Sequence, residues 1–107
     1  MFTKLAFAAL ALTAISAISS AQAAIQDFTL VNDSHLTIEE ARLSPPWSPY
    51  VGGDALGDNV LSAGASTRIY FAGNTNDCLW DLTLVYANGQ RSEGRHDLCR
   101  VQYVYAR

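Results

Sequence analysis

The residues that could do chemistry begin with two cysteines, Cys78 and Cys99, the only ones in the chain. Three roles are open to such a pair: a structural disulfide, a redox couple, or two ligands of a metal site. A redox couple is typical of a C-x-x-C spacing within a thioredoxin-like βαβ pattern, and neither feature is present. A zinc site needs more ligands nearby than this pair offers. The sequence therefore favours a structural disulfide.

The N-terminal segment indicates the compartment in which these cysteines meet. Lys4 is followed by an apolar run over residues 5–18 and by a stretch of mainly small residues that ends in Ala21-Gln22-Ala23, which is the layout of a secretory signal peptide. The apolar run is shorter than the about 20 residues of a spanning helix, so we expect cleavage after residue 23 and no stable membrane anchor. Export to the periplasm or the extracellular medium brings thiols into an oxidising environment and favours the disulfide.

The predicted mature chain, residues 24–107, is a single small and mildly acidic domain. It keeps 84 of the 107 residues and carries six arginines against ten acidic residues, a formal charge of −4, with no lysine. Nucleic-acid binding needs a clustered basic face, so we expect no nucleic-acid partner. A core of this size is marginal, and a disulfide would add to its stability.

The turn signal Asn88-Gly89 gives a second argument for the disulfide. Asn-Gly favours a two-residue type I′ hairpin, which would place Cys78 directly opposite Cys99, at a site where Cα atoms lie about 4.5 Å apart. Disulfides accept that distance. The same register sets an apolar strand against a charged one, so the returning strand is either an exposed edge or shifted by a bulge at Gly94.

This register also places Asp81 opposite His96. An acid beside an imidazole can orient a general base, so a small hydrolase is a distant alternative, although an ordinary cross-strand hydrogen bond is the favoured interpretation. The sequence has no G-x-S-x-G turn and no free cysteine nucleophile. Its two histidines lack the spacing of a transition-metal site. We therefore predict that the protein is not an enzyme and holds no catalytic residues.

The segment over residues 45–59, PPWSPYVGGDALGDN, contains all three prolines and is expected to be a loop. Loops of this length are usually functional. Trp47, Tyr50, Asp54 and Asp58 are therefore our candidate binding residues, for an envelope or extracellular protein or for a glycan. The alternative is that Trp47 folds back and caps the open end of the core.

A calcium-binding domain is the second hypothesis, and calcium is the one cofactor that the sequence raises. Its candidate ligands are oxygen-bearing side chains in two loops, namely Asp54, Asp58, Asn59, Asn76 and Asp77. Calcium takes roughly six to eight oxygens, which two loops of a sandwich can supply. Asp and Asn are also ordinary turn residues, and their spacing misses the EF-hand pattern.

Alternating apolar residues predict six or so short strands and no helix in the mature chain. The segment 25–32 is expected to pair as a hairpin with 36–44, with a bulge near Glu39-Glu40. Further strands are expected in 67–73, from Cys78 to residue 87, and at the C-terminal end. This pattern predicts an all-β fold, a small antiparallel β-sandwich, Ig-like or a partly open barrel, with one disulfide.

The chain resembles an uncharacterised family of small exported bacterial β-sandwich proteins. The most specific shared feature is C-x-W-D-L from Cys78 to Leu82, paired with D-L-C from Asp97 to Cys99. The other matching residues are turn and loop positions, namely Asn32-Asp33-Ser34, Ser44-Pro45, Asp54-Ala55-Leu56-Gly57, Leu61, Gly64, Ser66 and Asn88-Gly89. The resemblance covers nearly the whole mature chain and implies no activity. We therefore expect a binding or accessory module that acts through the loop.

Overall fold

The computed structural model describes residues 24–71 and 75–107, and the predicted leader, residues 1–23, lies outside them. Six strands account for the regular structure. They are β1 (Phe28–Asn32), β2 (Ile38–Ser44), β3 (Ser66–Ile69), β4 (Leu79–Tyr86), β5 (Arg91–Asp97) and β6 (Tyr103–Ala106). None of the described residues belongs to a helix long and apolar enough to cross a membrane.

The strands form two three-stranded sheets, one in the order β3-β1-β6 and the other in the order β2-β4-β5. Each sheet turns an apolar face inward, so the predicted all-β sandwich is confirmed. One of its four strand pairs departs from the antiparallel expectation, because β1 and β6 run parallel. The first strand thus lies in the middle of its sheet, between β3 and the C-terminal strand.

The predicted hairpin between the first two strands is wrong, because β1 and β2 belong to different sheets. The predicted turn after β1 is present, but it acts as a corner between the sheets. Asn32 is fully buried and its Nδ2 donates to the main-chain carbonyls of Leu36 and Leu61. Its Oδ1 accepts from the main-chain N–H and the hydroxyl of Ser34. These bonds turn the chain out of the first sheet and into the second.

The bulge predicted near Glu39-Glu40 is confirmed by a register shift between Ile38 and Glu40 on β2. Without it, Ile38 and Ala41 would point to opposite faces of the sheet, because side chains alternate along a strand. With the extra residue both are fully buried. The bulge therefore reconciles the two phases of the apolar pattern in this strand.

The core fills the space between the two sheets. Its buried apolar side chains are Phe28, Leu30, Ile38, Ala41, Leu56, Leu61, Ile69, Leu82, Leu84, Tyr86, Leu98, Val104 and Ala106. Trp80 packs edge-on against Phe71, with ring centroids 5.0 Å apart, and its Nε1 donates to the carbonyl of Asp77. Trp80 thereby ties the strand that follows Cys78 to the end of the first sheet.

The turn between β4 and β5 differs from the two-residue turn predicted from Asn88-Gly89. Tyr86 N–H donates to the carbonyl of Gln90, and Gly89 N–H donates to the carbonyl of Tyr86. Gly89 has a φ of 87°. This is a three-residue loop in which a left-handed glycine forms a G1 bulge, the next most common hairpin connection. The extra residue moves the whole of β5 by one position.

Candidate functional site

The predicted disulfide between Cys78 and Cys99 is confirmed, with a Cα–Cα distance of 5.1 Å. The cysteines do not face each other directly, as the two-residue turn required. Leu98 is the residue opposite Cys78 and its N–H donates to the Cys78 carbonyl. A turn after Asp97, in which the N–H of Arg100 donates to the Asp97 carbonyl, brings Cys99 back to the bridge.

The shifted register removes the mismatch between an apolar and a charged strand. Leu82 lies opposite Gly94 and Leu84 opposite Ser92, so small residues face the core side chains. The charged residues of β5 point to the outer face. The β4–β5 ladder is regular through Gly94, so of the two alternatives the bulge at Gly94 is wrong, and the bulge is at Gly89. β5 is an edge strand, as its charges indicate.

The expected pairing of Asp81 with His96 is wrong. Asp81 lies opposite Arg95, and its carboxylate accepts hydrogen bonds from Arg95 Nε at 2.8 Å and from Nη2 at 3.3 Å. The hydrogen bond from Arg95 holds the pKa of Asp81 below its ordinary value. His96 lies opposite Trp80, and adjacent strand positions point to opposite faces of a sheet. The structure therefore does not bring an acid–imidazole pair together here.

The long loop is anchored along the edge of β2. Asp54 Oδ1 accepts from the main-chain N–H of Ala41 at 2.9 Å and from that of Leu56 at 3.0 Å. Arg42 Nη1 donates to the carbonyl of Gly52, and the Arg42 guanidinium also pairs with Glu40. This candidate binding residue, Asp54, thus holds the loop against the sheet.

The aromatic residues of the loop are held out in solvent. Trp47 is 77% exposed and Tyr50 is 79% exposed. Trp47 thus does not cap the core, which closes over other side chains. The loop between them is a local turn in which the Ser48 hydroxyl accepts from Tyr50 N–H and donates to the Tyr50 carbonyl.

Trp47 stands over a shallow cavity of about 280 Å³ that is continuous with the disulfide. It is lined by Pro46, Trp47, Asp77, Cys78 and Leu79. We call these five residues the Trp47 surface. Leu79 is half exposed, although it starts the most apolar strand of the chain. The Trp47 surface therefore joins two segments that are distant in sequence.

Leu79 is a residue that sequence reasoning missed. The alternation along β4 was a sufficient signal, because Trp80, Leu82 and Leu84 face inward and odd-numbered residues must face outward. What the alternation did not reveal is that Trp47 lies on the same side of the sheet.

The calcium candidates are distributed over two loops. Asp58 and Asn59 are exposed at the end of the long loop, and Asn76 and Asp77 precede Cys78. Asp77 Oδ2 lies 3.2 Å from the Thr75 hydroxyl. Across residues 24–71 and 75–107, one set of three His, Cys, Asp or Glu side chains has its donor atoms within 4.8 Å, namely Cys78, Asp97 and Cys99. Its two sulfurs are already bonded to each other.

Comparison with known proteins returns no match, whether the chain is compared with protein-family models, with curated proteins or with solved structures.

Proposed function

We propose that this protein is a small exported binding module that contacts a protein partner through the Trp47 surface, with Tyr50 on the same loop. The observation that carries the proposal is the exposure of Trp47 beside Leu79 on an anchored loop. Large aromatic side chains in solvent-exposed apolar clusters are typical of protein contact sites.

The contacts that hold the loop and the start of β4 in place support this role. Asp54 and Arg42 hold the base of the loop to β2, and the disulfide holds the segment that presents Leu79. A surface that is already ordered loses less conformational entropy when a partner binds. A tryptophan set on such a frame is the residue type that most often dominates the binding energy of an interface.

A protein partner fits the lining better than a glycan does. Four of the five lining residues, Pro46, Trp47, Cys78 and Leu79, offer apolar contact, and Asp77 supplies the one ionisable side chain. Sugar recognition needs several convergent polar groups to pair the hydroxyls, because unpaired polar groups are costly to bury. The hydroxyl of Ser48 is engaged within its own turn.

Export is part of the proposal and rests on two supports. The disulfide is typical of proteins from oxidising compartments, and the N-terminal pattern is typical of a secretory leader. Membership of the family of small exported bacterial β-sandwich proteins would agree with both. Separating a periplasmic fraction from the culture medium and measuring the mass of the recovered chain would test the predicted cleavage after Ala23.

The function is tested by capture of partners from an envelope fraction with immobilised wild-type protein, the Trp47→Ala variant and the Tyr70→Ala variant. Tyr70 is a matched control, because it is a similarly exposed aromatic that directly follows β3, away from the Trp47 surface. We expect a specific protein to be recovered by wild type and by Tyr70→Ala and lost with Trp47→Ala. Equal recovery by all three proteins would contradict the proposal, and binding to immobilised glycans that Trp47→Ala abolishes would replace the protein partner by a glycan.

A further inference from the structure

We infer a second binding site, independent of the Trp47 surface, in the opening between the edge strands β5 and β6. The geometry points to an extended peptide that pairs with β6, places one apolar side chain into the cavity between the two strands, and sets an acidic residue against Arg107. We call this opening the β5–β6 slot. Its lining includes Leu82, Leu84, Ser92, His96, Val104 and Arg107.

The first observation is the free edge of β6. Among residues 24–71 and 75–107, this strand is the last of its sheet and pairs only with β1. The Gln102 carbonyl accepts from Thr29 N–H and the Ala106 carbonyl accepts from Asp33 N–H, so the main-chain groups of the even-numbered residues of β6 point toward β1. The main-chain groups of Tyr103 and Tyr105 therefore point away from β1, because alternate residues of a strand bond to opposite sides. They are available to an added strand.

The second observation is that β6 lacks the protection that both edges of the other sheet have. The edge of β2 is covered by the long loop, where Ala55 N–H donates to the Ala41 carbonyl. Three ionisable side chains, Arg91, Glu93 and Arg95, line the outer face of the β5 edge. The four residues of β6 are Tyr-Val-Tyr-Ala and carry no charge. Uncharged, uncovered edges are the ones that accept another strand.

The third observation is the cavity beside that edge, which has a volume of about 170 Å³. Leu82 and Leu84 of β4 and Val104 of β6 supply its apolar contacts. Its wall on β5 includes Gly94 and Ser92, which lie opposite those two leucines, and His96, whose Nε2 would lie 3.3 Å from a Cβ added at Gly94. At Ser92 the wall leaves room that a larger residue would fill. A cavity of this size accepts one apolar side chain.

The register of the added strand follows from these three features. In an antiparallel pair with β6, the residue opposite Val104 points to the same face as Val104, toward the cavity. Its two neighbours point outward beside Tyr103 and Tyr105, whose rings are stacked with centroids 6.4 Å apart. Strand addition of this kind draws affinity from main-chain hydrogen bonds and specificity from the side-chain pocket.

The positive charge of Arg107 indicates a second feature of the peptide. The Arg107 guanidinium lies 5.2 Å from the centre of the Tyr105 ring, at the rim of the slot. Within the part of the chain that the structure describes, Arg107 takes part in none of the ion pairs. The residue of an antiparallel strand that faces Arg107 comes three positions before the one that faces Val104. The β5–β6 slot therefore favours a peptide in which an acidic residue comes three positions before an apolar residue.

The probe is a nine-residue peptide of serine and threonine, blocked at both ends, with a central leucine and an aspartate three positions before it. Titration into ¹⁵N-labelled protein should shift the amide signals of Tyr103 and Tyr105. Replacing the leucine by serine should weaken binding about 10–100-fold, because the buried apolar side chain is lost. Replacing the aspartate by asparagine should weaken it by up to about fivefold, as expected for an exposed ion pair.

Protein variants locate the site. Ser92→Leu fills the slot from an exposed edge position and should abolish binding, and Tyr105→Pro should do the same by removing a free N–H while leaving the bonds to β1. Arg107→Gln should remove the preference for aspartate over asparagine. Arg91→Gln is the matched control, because it removes the same charge from the outer face of β5 and should bind as wild type does.

Several outcomes would overturn the inference. They are the absence of shifts at millimolar peptide, equal binding of the leucine and serine peptides, and unchanged binding to a folded Ser92→Leu protein. Self-association through β6, seen as a dimer that Tyr105→Pro dissolves, would assign the edge to a second copy instead. Trp47→Ala should bind the peptide as wild type does, so failure of this site and failure of the proposed function are distinguishable.

Discussion

Asp81 on β4 lies directly opposite Arg95 on β5, and two hydrogen bonds of 2.8 and 3.3 Å join the carboxylate to the guanidinium. A two-residue turn at Asn88-Gly89 would have put His96 in the place of Arg95. The extra turn residue moves β5 by one position, which exchanges the face to which each of its side chains points. The pair that results is an outer-face ion pair and His96 faces inward.

The Asp81–Arg95 pair predicts a pH-dependent contribution to stability. The pKa of Asp81 is lowered in the folded protein, so its contribution is present above the unfolded value of about 3.9 and is lost as pH falls through the lowered value. We expect Asp81→Asn to lower the urea midpoint slightly at neutral pH and to match wild type in strong acid. A deficit that stays constant from neutral pH to strong acid would contradict this origin.

The left-handed conformation of Gly89 predicts that the turn tolerates no side chain there. Gly89→Ala forces an alanine to a φ of 87° and should lower the free energy of unfolding by about 1–2 kcal/mol. Gly53→Ala is the control, because an added Cβ at Gly53 meets no atom within 4 Å. The measurement is urea unfolding of both variants. Equal effects would show that the G1 bulge does not limit the residue at position 89.

The disulfide should contribute substantially to the stability of so small a domain. Cys78 and Cys99 are 21 residues apart, and closing a loop of that length in the unfolded chain is worth about 3 kcal/mol in the chain-entropy model. We expect the Cys78→Ser, Cys99→Ser double variant to unfold at lower urea than oxidised wild type. Reductant should bring wild type to the midpoint of the variant and leave the variant unchanged; a midpoint unaffected by reductant would contradict this.

Asp54 should matter as an acceptor of main-chain hydrogen bonds. Asp54→Ala removes the acceptor of two N–H groups, from Ala41 and Leu56, and should cost about 1–3 kcal/mol. Asp54→Asn keeps an oxygen in the same place and should cost less. Hydrogen exchange at the Ala41 and Leu56 amides, measured for both variants, tests this assignment. Equal acceleration of hydrogen exchange in the Asp54→Ala and Asp54→Asn variants would count against the role of Asp54 as an acceptor.

Calcium should leave the thermal midpoint unchanged. One carboxylate oxygen of Asp54, a candidate calcium ligand, is already bonded to two main-chain N–H groups. A ligand that binds the folded state raises the midpoint with its concentration. The measurement is thermal unfolding with millimolar calcium and with chelator. A rise with calcium that Asp58→Asn removes would restore the calcium-binding hypothesis.

Several features of the structure can be predicted from the sequence, because they depend on local chemistry. The buried Asn32 turn, the bulge beside Glu40 and the inward alternation along β4 follow from side-chain hydrogen bonding and from the period of a strand. The long loop follows from its prolines and glycines. Each of these depends on neighbours within a few residues, so the order of residues suffices to predict it.

The assignment of strands to the two sheets and the length of the turn between β4 and β5 could not be predicted in this way. β1 and β2 are adjacent in sequence, yet each pairs with other strands, because pairing is decided by which faces bury the most apolar surface together. Asn-Gly is compatible with a two-residue turn and with a three-residue one. The packing of the core favours the three-residue turn, because that turn places Gly94 and Ser92 opposite Leu82 and Leu84.

The sequence by itself determined an all-β domain, its single disulfide and the loop that carries Trp47. Each of these follows from composition, from local alternation or from the number of cysteines, and none requires the exact register between strands. Only the tertiary structure decided that Asp81 meets Arg95, that Leu79 joins Trp47, and that β5 and β6 leave a slot between them. These relationships join residues far apart in the chain. They depend on register and on the meeting of two sheets, which one residue more or less in a single turn can change.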